Sequence, residues 1–219
     1  MAASLLAMSP AARALAAFAA AAPARPRQAR SLATRSRLLE AAIETLVAQG
    51  YAALTTTEVC RRAGLSQGAL FKHFASKAGL VGAMAERLFS ALIEDFRAGF
   101  GPVGRRADRL GAALRQLARS FGEPRLLAAL ELYTAARTDP VLRAQLEPVL
   151  ARHHANLLSE ARELFPEAAA ANPDFDAVVD TVIAALQGGA LGALVTADAG
   201  SGHRSLAWLE RLVRAELEA

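Results

Sequence analysis

Apolar residues return every three to four positions along most of this chain, a spacing that predicts amphipathic helices rather than strands. The first clear stretch is "TRSRLLEAAIETLVAQGY", where Leu38, Leu39, Ala42, Ile43, Leu46 and Val47 share one face. Gly50 stands where that helix is expected to stop. "TTTEVCRRAG" starts the next one. Thr55 and Glu58 are spaced as a capping box, the hydroxyl taking one free amide and the carboxylate returning to another. Gly64 closes this helix after about two turns. Ser66 is the expected N-cap of a third helix reaching Phe74, and Ser76 that of a long helix from Lys77 to Ala98.

Beyond the break "GFGPVGRR" the pattern predicts five more helices: Ala107–Phe121, Pro124–Arg137, Pro140–Leu164, Phe175–Val195 and Ser205–Leu217. "FPEAAAANPD" and "ADAGSGH" read as loops around the fourth of these. The expectation is an all-α fold. A small N-terminal head of three helices, residues 34–80, leads through the long helix into a larger C-terminal bundle, residues 81–219. Composition agrees, because Ala and Leu dominate and strand-favouring residues are sparse.

Charge changes the picture at the N-terminus. The chain carries a formal net charge of +4, and residues 1–37 hold six Arg and no acid. After residue 75 the acids slightly outnumber the bases. The excess positive charge points to a polyanionic partner on the N-terminal side, nucleic acid before membrane. Residues 1–33 are Ala-rich, basic and acid-free, and are expected to be a disordered extension; a transit peptide shares the same bias. A secretory signal fits poorly, since Arg13 interrupts the apolar stretch and no base precedes it. No run reaches the roughly 18 uninterrupted apolar residues of a membrane span, so no membrane partner is expected. The lone Cys60 excludes an internal disulfide and suits a reducing, cytoplasmic compartment.

Two helices of about two turns, joined through Gly64-Leu65-Ser66, have the form of a helix-turn-helix. Neither is stable alone, and both need the Leu39–Val47 face to pack on. Val59, Ala63, Leu65, Leu70 and Phe74 are expected to fill the space between the three. Gln67, Gly68, Lys72 and His73 then face outward, on the helix that such units lay in the major groove.

The stretches "LLEAA…GY", "TTTEVCRRAGLSQGALFKHF" and "SKAGL" resemble, in order and spacing, the tetracycline-repressor (TetR) family of one-component regulators. The resemblance covers about residues 34–88, a quarter of the chain. It implies a homodimeric repressor that reads a palindromic operator and is released by a small molecule held in the C-terminal helices. No enzyme activity and no cofactor are expected, and no metal site is assigned, with metal sensing through His and carboxylates left as a weak option. Thr55, Thr56, Thr57 and Arg61 match positions at or near the start of the scaffold helix, the first two contacting phosphate or capping. Ser66, Gln67, Gly68, Ala69, Phe71, Lys72 and His73 match the reading and phosphate-contacting helix, and Lys77 a phosphate contact at the start of the long helix. Arg35 and Arg37, just before the first helix, are placed to reach the DNA backbone. Two positions depart from the pattern. Phe71 stands where the family usually has a phosphate-bonding Tyr, and Gly79 where Glu commonly completes a cap.

The bundle is less specific. Phe121, Leu127, Leu130, Tyr133, Thr134, Arg137, His153, His154 and Gln187 lie on helices that are candidates to line an effector cavity. His153 and His154 are adjacent and point about 100° apart, which disfavours a shared metal. Val178, Val182, Ile183, Leu186, Gly189, Leu194, Leu206, Leu209 and Val213 trace apolar faces on the last two helices, the expected dimer interface. The alternative is a helical enzyme or adaptor with a vestigial head. No His–carboxylate cluster, phosphate loop or serine elbow supports an enzyme, and Lys72, Lys77 and Ser66-Gln67-Gly68 are all retained, against an adaptor.

Overall fold

Residues 26–100, 108–196 and 199–217 are described in the computed structural model of the chain. They form ten helices and no strand: α1 (Pro26–Ala53), α2 (Thr56–Ala63), α3 (Gln67–Phe71), α4 (Lys77–Phe100), α5 (Arg109–Phe121), α6 (Pro124–Ala136), α7 (Pro140–Leu164), α8 (Pro166–Ala171), α9 (Phe175–Ala193) and α10 (Ala199–Leu217). The all-α expectation holds, and most boundaries agree to within two residues.

Three differ more. α1 begins at Pro26, so the last part of the expected extension, 26–33, is helical. Pro is tolerated in a first turn, and no helix breaker follows it before Gly50. Residues 1–25 of that extension lie outside the described residues. "PEAAAA", expected as loop, forms α8, with Pro166 at its first position and four consecutive alanines after Glu167. α10 starts at Ala199, inside the expected loop "ADAGSGH", of which residues 197–198 lie outside the described residues. Most of the "GFGPVGRR" break and Ala107 lie outside them as well.

The chain divides into two compact units, Met1–Arg37 and Leu38–Ala219. The first is described only as the opening of α1, where Thr34 Oγ1 bonds back to the Arg30 carbonyl at 2.9 Å. The expected division near residue 80 falls inside α4, the long helix that the two parts were expected to share. α4 runs unbroken across it, and one buried cluster extends from Leu38 through Leu80, Met84 and Leu88 to Leu132, Leu142 and Leu146. The head and the start of the bundle therefore share a core within the second unit. α4 packs most extensively on α7. Further along, Leu110 and Leu114 of α5 join Val182 of α9 and Leu209 and Val213 of α10 in a second cluster. Asp108 caps α5 by accepting from Gly111 N at 3.0 Å and ties it to α10 through Arg214 at 2.7 Å. These bonds, with Arg115 at 2.9 Å, hold the Asp108 carboxyl well below the usual carboxylate range.

Candidate nucleic-acid interface and ligand cavity

The head is assembled by backbone chemistry that the residues dictate. Thr55 is extended and its hydroxyl accepts from Glu58 N at 3.1 Å, capping α2. Only half of the expected capping box forms. Glu58 turns instead to Arg61, which donates from Nε at 2.7 Å and from NH2 at 2.6 Å, and it also takes Gln49 at 3.3 Å. The Arg61 pair draws the Glu58 carboxyl down to about 2. Thr55 N bonds the Ala53 carbonyl at 2.8 Å, so it has no need of the carboxylate.

Gly64 ends α2 in the left-handed region, φ 61°, which a residue with a Cβ rarely adopts. Gly64 N bonds Arg61 O and Leu65 N bonds Cys60 O, the paired return bonds of a Schellman turn. Ser66 Oγ then accepts from Ala69 N at 3.2 Å and opens α3. α3 is one residue longer than a single turn. It ends at Phe71 and not at Phe74, although His73 N and Phe74 N still bond the Leu70 carbonyl. Leu70 and Phe74 are buried beside Val59 and Ala63, and Leu65 packs on the same cluster. Each of the larger side chains contributes about 1.5–3 kcal/mol by leaving water.

The outward side follows from that anchoring. Gln67, Gly68, Phe71 and Lys72 are exposed, Ala69 and His73 half-buried. Gln67 Nε2 donates to Thr57 Oγ1 at 2.8 Å, a clasp between scaffold and reading helix. Phe71 leaves 48% of its surface in water, a large apolar exposure for a head this small. Thr56 is half-buried, while Thr57 is exposed at the head of α2. Lys77 opens α4, capped by Ser76 Oγ on Gly79 N at 3.0 Å, and its Nζ lies 4.8 Å from the Tyr51 ring. The missing Glu at position 79 leaves that single cap bond. Arg61 is engaged by Glu58, so a phosphate contact from it requires that pair to open. Arg62 is half-buried between Glu44 and Glu58 at 3.7 Å each rather than solvated. Arg35 and Arg37 fall inside α1, in the first unit, rather than before the first helix.

A second feature lies in the bundle, a cavity of about 490 Å³ with almost wholly apolar walls. Phe121, Leu130, Tyr133, His153, His154 and Gln187 line it, as the helix faces predict. Leu127, Thr134 and Arg137 do not: Leu127 is half-exposed, Thr134 bonds back to the Glu131 carbonyl, and the Arg137 carbonyl accepts from Arg143. They sit on the other faces of α6 or past its end. Phe89 and Phe96 of α4 line the cavity and were not expected there, because a stripe on a long helix looks the same whether it faces core or void. His153 stacks on Phe89 with centroids 4.4 Å apart, and Tyr133 meets the same ring edge-on at 6.4 Å. Burial, with His154 adding, pushes the His153 pKa down to about 4. Its Nδ1 is buried with no hydrogen-bond partner. The carboxylates at the wall are occupied. Arg97 holds Glu160 with two hydrogen bonds, one from Nε at 2.7 Å, and His154 Nε2 is 2.7 Å from Asp180 Oδ1. That last contact is a His–carboxylate pair the sequence did not reveal, its partners being 26 residues apart. Among the described residues no group of three or more His, Cys, Asp or Glu side chains is placed to hold a metal.

The expected dimer face is split. Val182, Leu209 and Val213 are buried in their own subunit's second core, with Val178, Leu186 and Leu206 packed against them. Ile183 lines the cavity. Gly189 and Leu194 are exposed, as are Leu191, Val195, Trp208 and Leu212. An apolar stripe at helical spacing marks a covered face without saying whether the cover is the same subunit. α9 is the one described helix long and apolar enough to cross a membrane, with mean hydropathy 1.2. Its Asp180 pairs with His154 and its Val182 is core, so it is a packed helix of the bundle.

A capped scaffold helix, a Schellman turn and a short helix anchored by Leu70 define a helix-turn-helix DNA-binding protein. Residues 38–84 match the family model of bacterial regulatory proteins, tetR family. An HTH-type transcriptional regulator of Mycobacterium tuberculosis is 34% identical over 149 residues, 66% of this chain and 76% of that one. The HTH-type regulator CymR of Pseudomonas putida is 32% identical over 132 residues, 60% and 65% of the two chains. Among solved structures, the multidrug binding protein EbrR complexed with imidazole superposes with a TM-score of 0.58 at 27% identity, covering 81% of this chain and 93% of that one. The chain belongs to the TetR family of DNA-binding transcriptional regulators, and it is not an enzyme.

Proposed function

We propose that the protein is a repressor that binds a palindromic operator in the cytoplasm as a homodimer and leaves it when a lipophilic molecule fills the bundle cavity. The exposed face of α3 carries the DNA half of this reading. Gln67, once it lets go of Thr57, is the proposed reader of base edges and Lys72 the proposed phosphate contact, both exposed on a helix whose opposite side is fixed in the core. Lys77 adds a second phosphate contact, and the ring of Phe71 is left to pack on the backbone.

Ligand response is supported by a connection between cavity and head. α6 lines the cavity with Leu126, Leu130 and Tyr133. From between them Glu131 accepts from Tyr51 N at 2.7 Å, just past the turn at Gly50 that ends the regular part of α1. The Tyr51 ring in turn carries Lys77. A ligand that shifts α6 therefore moves the support of a phosphate-contacting lysine. EbrR, a similar protein, is a multidrug binding protein solved in complex with imidazole, which favours small-molecule binding here. The exposed apolar face of Leu191, Leu194, Trp208 and Leu212 is the surface for the second copy. Gly188, Gly189 and Gly192 have open space where a Cβ would stand, which lets a facing helix come close.

Nuclease footprinting on DNA flanking the gene tests this directly. The expected pattern is two protected half-sites about one helical turn apart, related by a two-fold axis. A single unpaired half-site, or protection with no sequence preference, contradicts the reading.

A further inference from the structure

The polar groups on the cavity wall differ in what they can offer a ligand. Both carboxylates on its wall already have cationic or imidazole partners, Glu160 with Arg97 and Asp180 with His154. An ammonium ligand would have to break the Arg97 pair to reach Glu160, while Asp180, about half-exposed and bonded to His154, offers only a solvent-screened charge. A carboxylate ligand meets the converse problem. His153 is the ring that faces the Phe89 end of the cavity, and it is uncharged in its apolar surroundings. Arg97, the cation bonded to the wall at Glu160, is held by two bonds. What this end offers a ligand is neutral: the phenol of Tyr133, a residue partly open to solvent, and the His153 imidazole, both against Phe89, with one buried imidazole nitrogen lacking any partner. A neutral imidazole both donates and accepts, and so does a phenol. A ligand hydroxyl or carbonyl suits such a pair without bringing a charge out of water, whose burial costs far more than that of a neutral polar group.

We propose that the cavity takes an uncharged, largely aromatic molecule with a single hydroxyl or carbonyl group, seated with that group at the Phe89–Tyr133–His153 corner and its rings among Phe96, Phe121 and Leu130. This rests on reading the cavity as the effector site. A volume of about 490 Å³ accommodates a two-ring molecule of this kind.

Four probes of one shape separate the possibilities: para-phenylphenol, biphenyl, para-biphenylcarboxylate and para-phenylbenzylammonium. Calorimetric titration of the full-length protein at neutral pH is expected to rank the phenol first. It should bind about three- to tenfold more tightly than biphenyl, the value of one net hydrogen bond. The two ions should bind more weakly than biphenyl. His153→Leu should erase the phenol's advantage while keeping the affinity for biphenyl. His153→Gln, which keeps a donor and an acceptor, should restore part of it, and Tyr133→Phe gives an independent check on the same corner. Either ion ranking first, equal phenol affinity in wild type and His153→Leu, or no binding by any probe overturns the proposal. The same samples are then tested for DNA release. An ion that ranks first and releases DNA defeats the charge selection but keeps the effector reading. A phenol that binds as expected without altering DNA affinity keeps the selection and defeats the effector reading.

Discussion

Gly68 lies in the first turn of α3, and a Cβ built there meets only Ser66 Oγ at 3.8 Å, an ordinary contact. Nothing inside the protein demands glycine at this position. Gly68→Ala should therefore leave thermal stability unchanged or slightly raised, since Gly costs up to about 1 kcal/mol in a helix. If the residue serves close approach to DNA, operator affinity should fall at least several-fold in the same variant; unchanged affinity would remove that role. At Phe71 the opposite change is expected. Phe71→Tyr puts a hydroxyl on an exposed ring and should tighten binding by about three- to tenfold, one phosphate hydrogen bond. Lys77→Ala should weaken specific and random DNA alike, whereas Gln67→Ala should alter the sequence preference, read in a competition assay with permuted sites. The inward and outward sides of the head were legible from spacing alone, because Leu70 and Phe74 lie one turn apart. The Gln67–Thr57 bond was not, since it joins two helices across ten residues, and that Glu58 turns to Arg61 instead of completing the capping box is decided only by the packed geometry.

At the scale of the elements, α3 is too short to persist without its anchors. Leu70→Ala should cost about 2–5 kcal/mol in chemical denaturation, the range for a fully buried leucine. A cost under about 1 kcal/mol would mean that the core does not hold the reading helix. His153 gives a pH-dependent counterpart on α7. It takes its proton only near pH 4, against an ordinary 6.5, so between those values the unfolded chain binds more protons than the folded one. The stability it contributes is present above about pH 6.5, declines as pH falls and is fully lost below about pH 4. The effect is on the order of 1 kcal/mol once solvent at the cavity mouth is allowed for, and His153→Leu should remove that part of the acid slope in melting temperature. Helix existence and order were readable from the apolar period and the caps, as at Thr55, Ser66, Ser76 and Pro140. α8 was not, because a run of alanines beside Pro and Asn carries no apolar stripe; it folds where Pro166 and Glu167 favour a helix start.

At the scale of the whole molecule, the proposed homodimer rests on the last two helices. Trp208 and Leu212 expose 56% and 46% of their surface on α10, and Leu191 and Leu194 are exposed on or at the end of α9. Leu212→Glu should convert a dimer into a monomer in light scattering and abolish tight operator binding, while Gly68→Ala leaves the dimer intact. A monomeric wild type would contradict this face as the interface. The sequence showed that α9 and α10 are apolar, but not that Val182, Leu209 and Val213 are used up inside the subunit; that depends on where α5 lies. The most direct test of the central claim is fluorescence anisotropy on a duplex from beside the gene, titrated at several salt concentrations against a scrambled duplex. Lys72 and Lys77 from two subunits predict a log–log slope of about −3 to −4 and a clear preference for the native duplex. Equal affinity for both duplexes with a slope near zero would contradict the account.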